Sequence, residues 1–362
     1  MSRFWSETVH RLTPYVPGEQ RTGANVVKLN TNENPYPPSP AVMAAIASTP
    51  ADAPRRYPDP ESVELRAALA AEHGLALGET FVGNGSDEVL ALAFLAFFTR
   101  GAALQYPAVS YAFYPVYCDL HGIARRPLPL DEDFRFDPDA FEANAGGICF
   151  PNPNAPTGLA LPRAAIRRLL ERHTEHVVLV DEAYADFGAE SAIPLVREYP
   201  NLLVCRTFSK GRSLAGLRLG MAYGDAALIE GLQRVKNSFN SYPVDVVAQR
   251  AGLASLADEA GYRESVARIV ATRERTTGEL ERRGFRVLPS SANFVFARPP
   301  DGDGEGLFRR LGEADVLVRH WSAPALAPWL RISIGTDAEM ERLFAVLDEP
   351  GAGAASATVP LA

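Results

Sequence analysis

The chain has few cysteines and no excess of positive charge, and both features limit the classes of protein to which it can belong. Its 362 residues include only three cysteines, Cys118, Cys149 and Cys205, without the spacing of a disulfide framework. They stand next to apolar residues, which favours small buried side chains in a reducing cytoplasm. The formal net charge is −8, so the chain as a whole repels nucleic acids and anionic membrane surfaces.

Long apolar runs and several common motifs are also missing. The longest apolar run, at 89–98, is too short to cross a bilayer and predicts a buried helix. The first residues contain no apolar signal core, which favours a cytoplasmic protein. No phosphate-binding loop of the type G-x-x-x-x-G-K-S/T occurs, and the six histidines show no metal-binding spacing. We therefore expect no membrane partner and no metal centre.

Alternating apolar runs and helical stretches predict an α/β fold. Short apolar runs at 148–150, 177–180 and 202–205 are separated by helical stretches such as 163–172. Strands that alternate with helices in this way form a mostly parallel sheet covered by helices on both faces. Open α/β sheets bind ligands at the carboxyl ends of their strands, so the residues just beyond these runs are the candidate site residues.

Composition and periodicity divide the chain into four predicted segments. Residues 1–40 predict an extended arm, 41–245 a large domain, 246–350 a smaller α+β domain, and the Gly-, Ala- and Ser-rich residues 351–362 a disordered tail. A long amphipathic stretch at 244–284 leads into the smaller domain. The predicted strands of that domain lie at 285–288, 293–297, 316–318 and 330–334.

A lysine follows the predicted strand at 202–205. Lys210 lies in the sequence R-T-F-S-K-G-R-S-L-A-G-L-R, with Thr207, Ser209 and Arg218 close to it. A lysine amine condenses with an aldehyde, and hydroxyls and an arginine bind a phosphate dianion. Pyridoxal phosphate (PLP) presents both an aldehyde and a phosphate. An ordinary surface lysine is the alternative that this segment alone leaves open.

A carboxylate follows the predicted strand at 177–180. Asp181, in the sequence V-V-L-V-D-E-A-Y, stands at the end of that strand, on the floor of the expected ligand crevice. There it can pair with the pyridine nitrogen of PLP and keep it protonated, while Tyr184 donates to the ring oxygen. A Mg²⁺ ligand or a helix-capping acid is the alternative for this segment by itself.

Two turns add candidate groups for an anion and for a ring oxygen. The glycine-rich turn at 83–88 precedes the helical run, and the N–H groups there, near Ser86 and Asp87, offer an anion site. The turn at 151–158 holds two asparagines among prolines, which can aim an amide at a ring oxygen. A simple helix cap and a plain turn are the alternatives.

Together these segments resemble the fold type I PLP enzymes, the aspartate aminotransferase superfamily, over residues 4–347. Within it, the strings at 29–35 and 237–243 are similar to those of the histidinol-phosphate aminotransferase family. The resemblance implies a seven-stranded, mostly parallel sheet between helices, a smaller C-terminal α+β domain, an N-terminal arm and a homodimer. The motifs are L-N-T-N-E-N-P at 29–35, R-Y-P-D-P at 56–60, G-N-G-S-D-E at 83–88, P-N-P-N-A-P-T-G at 151–158, D-E-A-Y-A-D-F at 181–187, S-K-G-R-S-L-A-G-L-R at 209–218, N-S-F-N-S-Y-P at 237–243 and L-R-I-S-I-G-T at 330–336.

The resemblance implies a role in cofactor binding for each matching residue. Lys210 forms the Schiff base with PLP, Asp181 pairs with the pyridine nitrogen, and Tyr111 stacks on the ring. Tyr184 and an asparagine of the turn at 151–158 hold the ring oxygen. The cofactor phosphate is bound by Ser86, Asp87, Thr207, Ser209 and Arg218, and by Tyr57 of the other subunit.

The resemblance also implies a site for anionic substrates. Arg331 and Arg319 bind the acidic end of the substrates, and Tyr15 of the arm assists them. Arginine suits this task because its planar fork is bidentate toward a phosphate or a carboxylate. For both arginines an ordinary salt bridge is the alternative.

The chain departs from the pattern of this family at three positions. Ala155 stands where the family has asparagine before Pro-Thr-Gly, so the ring-oxygen role moves to Asn154, with Asn152 in reserve. Pro37 replaces an expected glycine, which stiffens the arm. Gly211, directly after the lysine, loosens that turn.

The expected reaction is amino transfer between L-histidinol phosphate and 2-oxoglutarate, which gives imidazole acetol phosphate and glutamate in histidine biosynthesis. An aromatic amino acid aminotransferase is one alternative, because its substrates also end in an anion. A PLP-dependent decarboxylase of a phosphorylated amino acid is a second, because it shares the scaffold. A non-catalytic PLP-binding regulator is disfavoured, because this acidic chain has no basic appendage for DNA.

Overall fold

The computed structural model describes residues 2–16, 18–23, 25–99, 101–142 and 145–349. The predicted disordered tail at 351–362 lies outside these residues. Within them, no helix is both long enough and apolar enough to span a bilayer.

Helices and strands alternate over most of the described chain. The α-helices are α1 (Glu7–Arg11), α2 (Pro40–Ala47), α3 (Val63–Glu72), α4 (Gly85–Phe97), α5 (Phe113–His121), α6 (Arg163–Arg172), α7 (Ala226–Phe239), α8 (Val246–Ala257), α9 (Glu259–Arg282), α10 (Gly304–Glu313) and α11 (Asp337–Asp348). The strands are β1 (Val27–Lys28), β2 (Thr80–Asn84), β3 (Leu104–Pro107), β4 (Arg125–Leu128), β5 (Gly147–Pro151), β6 (Val178–Asp181), β7 (Leu202–Thr207), β8 (Leu219–Gly224), β9 (Arg286–Val287), β10 (Phe294–Arg298), β11 (Val316–Leu317), β12 (Arg319–His320) and β13 (Leu330–Ser333). Single-turn 3₁₀ helices lie at Ala53–Arg55, Leu77–Glu79, Pro138–Ala140, Ala185–Phe187, Ile193–Leu195 and Ala215–Leu217.

A seven-stranded sheet forms the centre of the fold, in the order β2-β8-β7-β6-β5-β3-β4. Strands β4, β3, β5, β6 and β7 run parallel, and β8 runs antiparallel to both of its neighbours, β7 and β2. The prediction of a mostly parallel sheet of seven strands is therefore confirmed. The parallel strands end at one edge of the sheet, which brings the residues just beyond β6 and β7 together.

The central strands are buried on both faces. In β5 and β6, Ile148, Phe150 and Val180 pack into one hydrophobic core, and Cys149 and Leu179 pack into another. Successive side chains of a strand point to opposite faces, so one continuous apolar run supplies both cores. All three cysteines are buried and unpaired, as predicted.

A second, four-stranded sheet has the order β12-β13-β10-β9, and all its pairings are antiparallel. The N-terminal segment joins this half of the molecule, since β1 pairs in parallel with β11 and Leu29 packs into the same hydrophobic core as Ile332. The N-terminal segment is not extended throughout, because Ser6 caps the short helix α1 with its hydroxyl.

Local sequence signals place several helices correctly. The predicted helix at 163–172 is α6, and α2 begins after Ser39, whose hydroxyl accepts from the N–H of Val42 at 3.5 Å. The amphipathic stretch at 244–284 forms two helices, α8 and α9. Asp258 separates them, because its carboxylate accepts from the N–H of Gly261 at 3.1 Å and starts a new helix.

Candidate active site

A cavity of about 500 Å³ opens at the carboxyl ends of β6 and β7 and is closed on its other side by the second sheet. Its wall contains most of the predicted site residues, from sequence positions as far apart as 15 and 331. Those that line it are Tyr15, Ser86, Asp87, Tyr111, Asp181, Tyr184, Thr207, Ser209, Lys210, Arg218, Arg319 and Arg331. Two predicted residues, Asn154 and Tyr57, do not line it.

Lys210 projects from the turn after β7 into this cavity. Its Nζ donates a hydrogen bond to the backbone oxygen of Thr31 at 3.1 Å and lies 5.7 Å from the ring centre of Tyr184. Among the described residues no carboxylate forms an ion pair with this amine. Within the described part of the chain, one neutral oxygen accepts from this amine, which leaves it available to a ligand in the cavity.

Asp181 lies at the floor of the cavity, as the last residue of β6, and is only 4% exposed. Tyr114 donates its hydroxyl to Oδ2 at 3.0 Å, and the N–H of Ala183 donates to Oδ1 at 3.2 Å. Burial raises the pKa of Asp181 to about 6, while these two hydrogen bonds lower it. A buried carboxylate of this kind is suited to a cationic N–H group of a ligand.

Tyr184 stands between Lys210 and the second sheet. Its hydroxyl accepts a hydrogen bond from Asn32 Nδ2 at 3.0 Å, and its ring meets Phe294 edge-on at 5.1 Å between centres. The aromatic contact fixes the plane of the ring, and the amide fixes the position of the hydroxyl.

An anion site is formed where α4 begins. The helix starts at Gly85 with no side-chain cap, and Ser86 and Asp87 of its first turn line the cavity, so its first N–H groups can bind an anion there. Arg218 lies beside them, and its Nη2 donates to Asp87 Oδ2 at 3.0 Å. Both side chains of this ion pair are about 40% exposed, so water weakens the pair and an incoming dianion can compete for the guanidinium.

Two buried hydroxyls complete the anion site. Thr207 Oγ1 donates either to Ser209 Oγ at 2.9 Å or to the backbone oxygen of Leu219 at 3.1 Å. The N–H of Ser209 donates to Thr207 Oγ1 at 3.1 Å. These contacts hold both side chains at the cavity wall, next to Arg218.

Tyr111 forms an aromatic wall of the cavity. Its hydroxyl donates to Asp87 Oδ1 at 2.7 Å, and its ring packs at 5.5 Å from that of Phe113. Burial, and then the nearby charge of Asp87, raise the pKa of Tyr111 well above its usual value, so the phenol stays protonated. Tyr15 of the N-terminal segment extends the wall by packing its ring 4.5 Å from Phe113.

The end of β5 and the turn that follows it contribute apolar groups to the cavity, namely Pro151, Ala155 and Pro156. The amide of Asn154 donates to the backbone oxygen of Val109 at 3.0 Å, while its Oδ1 has no partner among the described residues. Asn152 uses its amide within the turn, with Oδ1 accepting from the N–H of Leu161 at 2.7 Å.

Arg319 and Arg331 lie directly opposite each other on the antiparallel strands β12 and β13. Arg331 Nη2 donates to the backbone oxygen of Asn30 at 2.8 Å, and Arg319 Nη2 donates to that of Val16 at 3.3 Å. Both guanidinium groups lie within 6 Å of the ring of Trp321. Among the described residues neither arginine has a carboxylate partner, so an ordinary salt bridge does not explain their positions.

Tyr57 lies on the surface, away from the cavity. It is 81% exposed, and its ring stacks at 4.4 Å on that of Tyr242, which is itself 42% exposed. Exposure of two stacked aromatic rings to water is unfavourable, and such a patch marks a surface that another molecule covers.

The structure adds residues to the site that the sequence patterns did not single out. Asn32 and Tyr114 contact Tyr184 and Asp181, and Trp321 packs under the two arginines. Asn32 has a positive φ of 54°, which asparagine tolerates better than most residues. Its only sequence signal was its place in the string at 29–35.

Comparison with known proteins identifies the family of the chain. The family described as Aminotransferase class I and II matches residues 24–347. The histidinol-phosphate aminotransferase of Chromohalobacter salexigens is 55% identical over 348 residues, which cover 96% of this chain and 99% of that protein. Histidinol-phosphate aminotransferase 2 of Thiobacillus denitrificans is 54% identical, with 96% of this chain and 97% of that protein covered.

Solved structures of the same type superpose closely on this chain. Histidinol-phosphate aminotransferase from Sinorhizobium meliloti in complex with pyridoxal-5'-phosphate gives a TM-score of 0.86 at 26% identity, with 96% of this chain and 97% of that chain covered. A Thermus thermophilus aspartate aminotransferase variant gives a TM-score of 0.79 at 23% identity, with 95% and 100% covered, and supports the fold alone. The fold type I architecture predicted from the sequence is therefore confirmed.

Proposed function

We propose that this chain, which belongs to the aminotransferase class I and II family, is a PLP-dependent enzyme that transfers an amino group between L-histidinol phosphate and 2-oxoglutarate. The products are imidazole acetol phosphate and glutamate. The observation that carries the proposal is one cavity that holds an amine at Lys210, a buried carboxylate at Asp181 and two arginines that have no carboxylate partner among the described residues. The names of the 50–55% identical relatives support the same substrate.

The residues of the cavity fit PLP. Asp181 is buried with no cationic side chain within ion-pair distance among the described residues, as a carboxylate awaiting a protonated ring nitrogen would be. At the other end, a Cβ added to Gly85 would stand 2.6 Å from Arg218 Nη2. The missing side chain thus lets the guanidinium lie over the start of α4, where a phosphate dianion is favoured.

Each residue of the cavity then has a chemical task. When bound, PLP supplies the aldehyde that carries the amino group and a ring that withdraws electrons from the substrate carbon. Asp181 would hold the proton on the ring nitrogen, Tyr111 would stack on the ring, and Tyr184 would donate to the ring oxygen. Arg218, with the hydroxyls and N–H groups near it, binds the phosphate.

Lys210 moves the proton. Among the described residues that line the cavity it is the only lysine, and its hydrogen bond to a backbone oxygen leaves the nitrogen lone pair available once the amine is neutral. We assign to its Nζ the transfer of the proton between the substrate Cα and the cofactor C4′. A positioned base of this kind accelerates such a step by about 10²–10⁴-fold.

The opposed arginines support an anionic substrate. Like charges directly opposite on neighbouring strands are destabilising, and burial lowers the pKa of Arg331. A phosphate monoester or a carboxylate placed between Arg319 and Arg331 relieves both costs, and their planar forks bind either group. Tyr15 lines the same cavity, and we assign to it an assisting role in binding the anion.

A titration of the purified protein tests the proposed substrate. A visible absorption band of bound PLP is expected to bleach when L-histidinol phosphate is added and to return with 2-oxoglutarate. L-Phenylalanine, tested in the same way, is expected to give a kcat/KM at least about tenfold lower, because its carboxylate places less negative charge between Arg319 and Arg331 than a phosphate monoester does. Equal kcat/KM values for the two amines would contradict the substrate assignment.

The proposal includes a homodimer in the cytoplasm. The exposed stack of Tyr57 on Tyr242, with Phe239 nearby in sequence and 79% exposed, supports a covering second subunit. In that assembly we assign to Tyr57 a hydrogen bond to the cofactor phosphate of the partner. A mass measured by light scattering during gel filtration is expected to be twice that of the chain, and a monomer mass would contradict the assembly.

A further inference from the structure

A closed set of hydrogen bonds connects the second sheet to Tyr184. The N–H of Asn32 donates to Ser333 Oγ at 2.9 Å, and Ser333 Oγ donates to Asn32 Oδ1 at 2.8 Å. Asn32 Nδ2 donates to the hydroxyl of Tyr184 at 3.0 Å. Asn32 and Ser333 are 1% and 2% exposed, so water does not replace these partners.

The backbone N–H determines which way the amide of Asn32 faces. That N–H donates to Ser333 Oγ, so the serine hydroxyl still needs an acceptor for its own proton. The side-chain oxygen of Asn32 accepts that proton. A reversed amide would turn its NH₂ toward Ser333 and leave a buried serine proton without an acceptor, which costs free energy. The NH₂ group therefore faces Tyr184.

The direction of the Tyr184 hydroxyl follows from the direction of the amide. An NH₂ group only donates, so the oxygen of Tyr184 must accept, and its single proton points away from Asn32. Among the described residues no acceptor lies within hydrogen-bond distance of that proton. Tyr184 lines the cavity, so the proton is presented to whatever fills it.

We propose that Asn32 and Ser333 are positioning residues that fix the Tyr184 hydroxyl as a hydrogen-bond donor to the ring oxygen of PLP. This inference rests on the proposed function. The turn after β5 presents Ala155 to the cavity and keeps the amides of Asn152 and Asn154 in contact with backbone groups. Tyr184 is then the residue whose hydroxyl proton the protein directs toward the ring oxygen.

The consequence is measurable in the pH dependence of the PLP band. A donor on the ring oxygen withdraws negative charge from it, so the neighbouring protonated nitrogen of Lys210 loses stabilisation and releases its proton at lower pH. The pH at which half of this nitrogen has lost its proton is the midpoint of the change in the PLP band. Loss of a hydrogen bond to a charged oxygen shifts this midpoint by about one pH unit. Tyr184→Phe is therefore expected to raise the midpoint by about one unit.

Asn32→Asp tests the direction of the hydroxyl. Aspartate has the same shape and tolerates the positive φ, but it accepts where the amide donates, so it turns the Tyr184 proton away from the cavity. The midpoint is expected to rise by at least as much as in Tyr184→Phe. In the Tyr184→Phe background the same substitution adds only its charge and is expected to raise the midpoint less.

Ser333→Ala gives the same test without adding a charge, and it serves if Asn32→Asp does not fold. Removing the hydroxyl frees the amide to turn, so the midpoint is expected to rise when Tyr184 is present and to stay unchanged in Tyr184→Phe. Equal shifts in both backgrounds would overturn the positioning role. Absence of any PLP band in the unmodified protein would instead overturn the proposed function.

Discussion

At the scale of single residues, Asp181 carries a cost that a bound ligand relieves. Burial raises its pKa from 3.8 to about 6, so folding favours the protonated carboxyl. The cofactor-free protein is therefore most stabilised by this carboxyl below pH 4, where the group is protonated, and it loses that stabilisation as the pH rises through 6. A shift of about two units corresponds to a cost of about 3 kcal/mol for the cofactor-free protein at neutral pH.

Asp181→Asn is expected to stabilise the cofactor-free protein and to weaken PLP binding. The gain in the free energy of unfolding, measured by urea denaturation, is expected to be about 1–3 kcal/mol larger at pH 8 than at pH 4, because only the ionised carboxylate is costly. The dissociation constant for PLP is expected to rise, because the partner of the ring nitrogen is gone. A variant that is equally stable at both pH values and still binds PLP normally would contradict the role of Asp181.

Two of the site residues could be identified from the local sequence alone. Lys210 and Asp181 stand just after apolar runs, and the rule that ligands bind at strand ends applies to them without further information. Asn32 and Ser333 are separated by 301 positions, and no local pattern indicates their contact. The position of Arg319 directly opposite Arg331 likewise depends on the register of two strands, which no local pattern predicts.

At the scale of elements, the start of α4 depends on a glycine. Gly85 has a φ of 79°, and a Cβ there would stand 2.6 Å from Arg218 Nη2. Gly74, after α3, has a similar φ of 65°, but a Cβ there would contact none of the described residues within 4 Å. The two positions therefore share the backbone cost of an alanine and differ in the contact with Arg218.

Gly85→Ala is expected to weaken PLP binding at least about tenfold, because Arg218 must move away from the phosphate. Both Gly85→Ala and the control Gly74→Ala are expected to lose about 1 kcal/mol of stability. Fluorescence titration with PLP gives the dissociation constants, and thermal unfolding gives the stabilities. Identical PLP affinity in the two variants would contradict an anion site at this helix.

Helices were predicted more accurately than strand pairings. α6 matches its predicted bounds, because apolar periodicity is a local signal. α1 and the break at Asp258 were missed, since each depends on a single capping side chain within a polar segment. The pairing of β1 with β11 joins residues almost 290 positions apart and has no local signal.

At the scale of the whole molecule, the assignment of Tyr57 to the cavity of the partner subunit predicts complementation between two impaired variants. In a hybrid dimer of one Lys210→Ala subunit and one Tyr57→Phe subunit, one cavity contains both substitutions and the other contains neither. That hybrid is expected to regain about half of the unmodified activity, since a two-fold dimer has two equivalent sites.

The hybrid is made by co-expression with two different affinity tags, and its kcat is compared with that of each parent dimer. The Lys210→Ala parent is the control, because it has no intact site in any assembly. If Tyr57 acts within its own subunit, the hybrid contains no unaltered site and its activity does not exceed that of the Tyr57→Phe parent. That result would contradict the assignment of Tyr57 across the interface.

The most direct test of the account concerns the bond between the cofactor and the chain. The PLP-loaded protein is treated with borohydride, digested and examined by mass spectrometry. We expect a reduced pyridoxyl group on Lys210, and no label on Lys28, which is paired with Glu33. A label on another lysine, or no label on any peptide, would contradict the assignment of Lys210 as the residue that binds PLP.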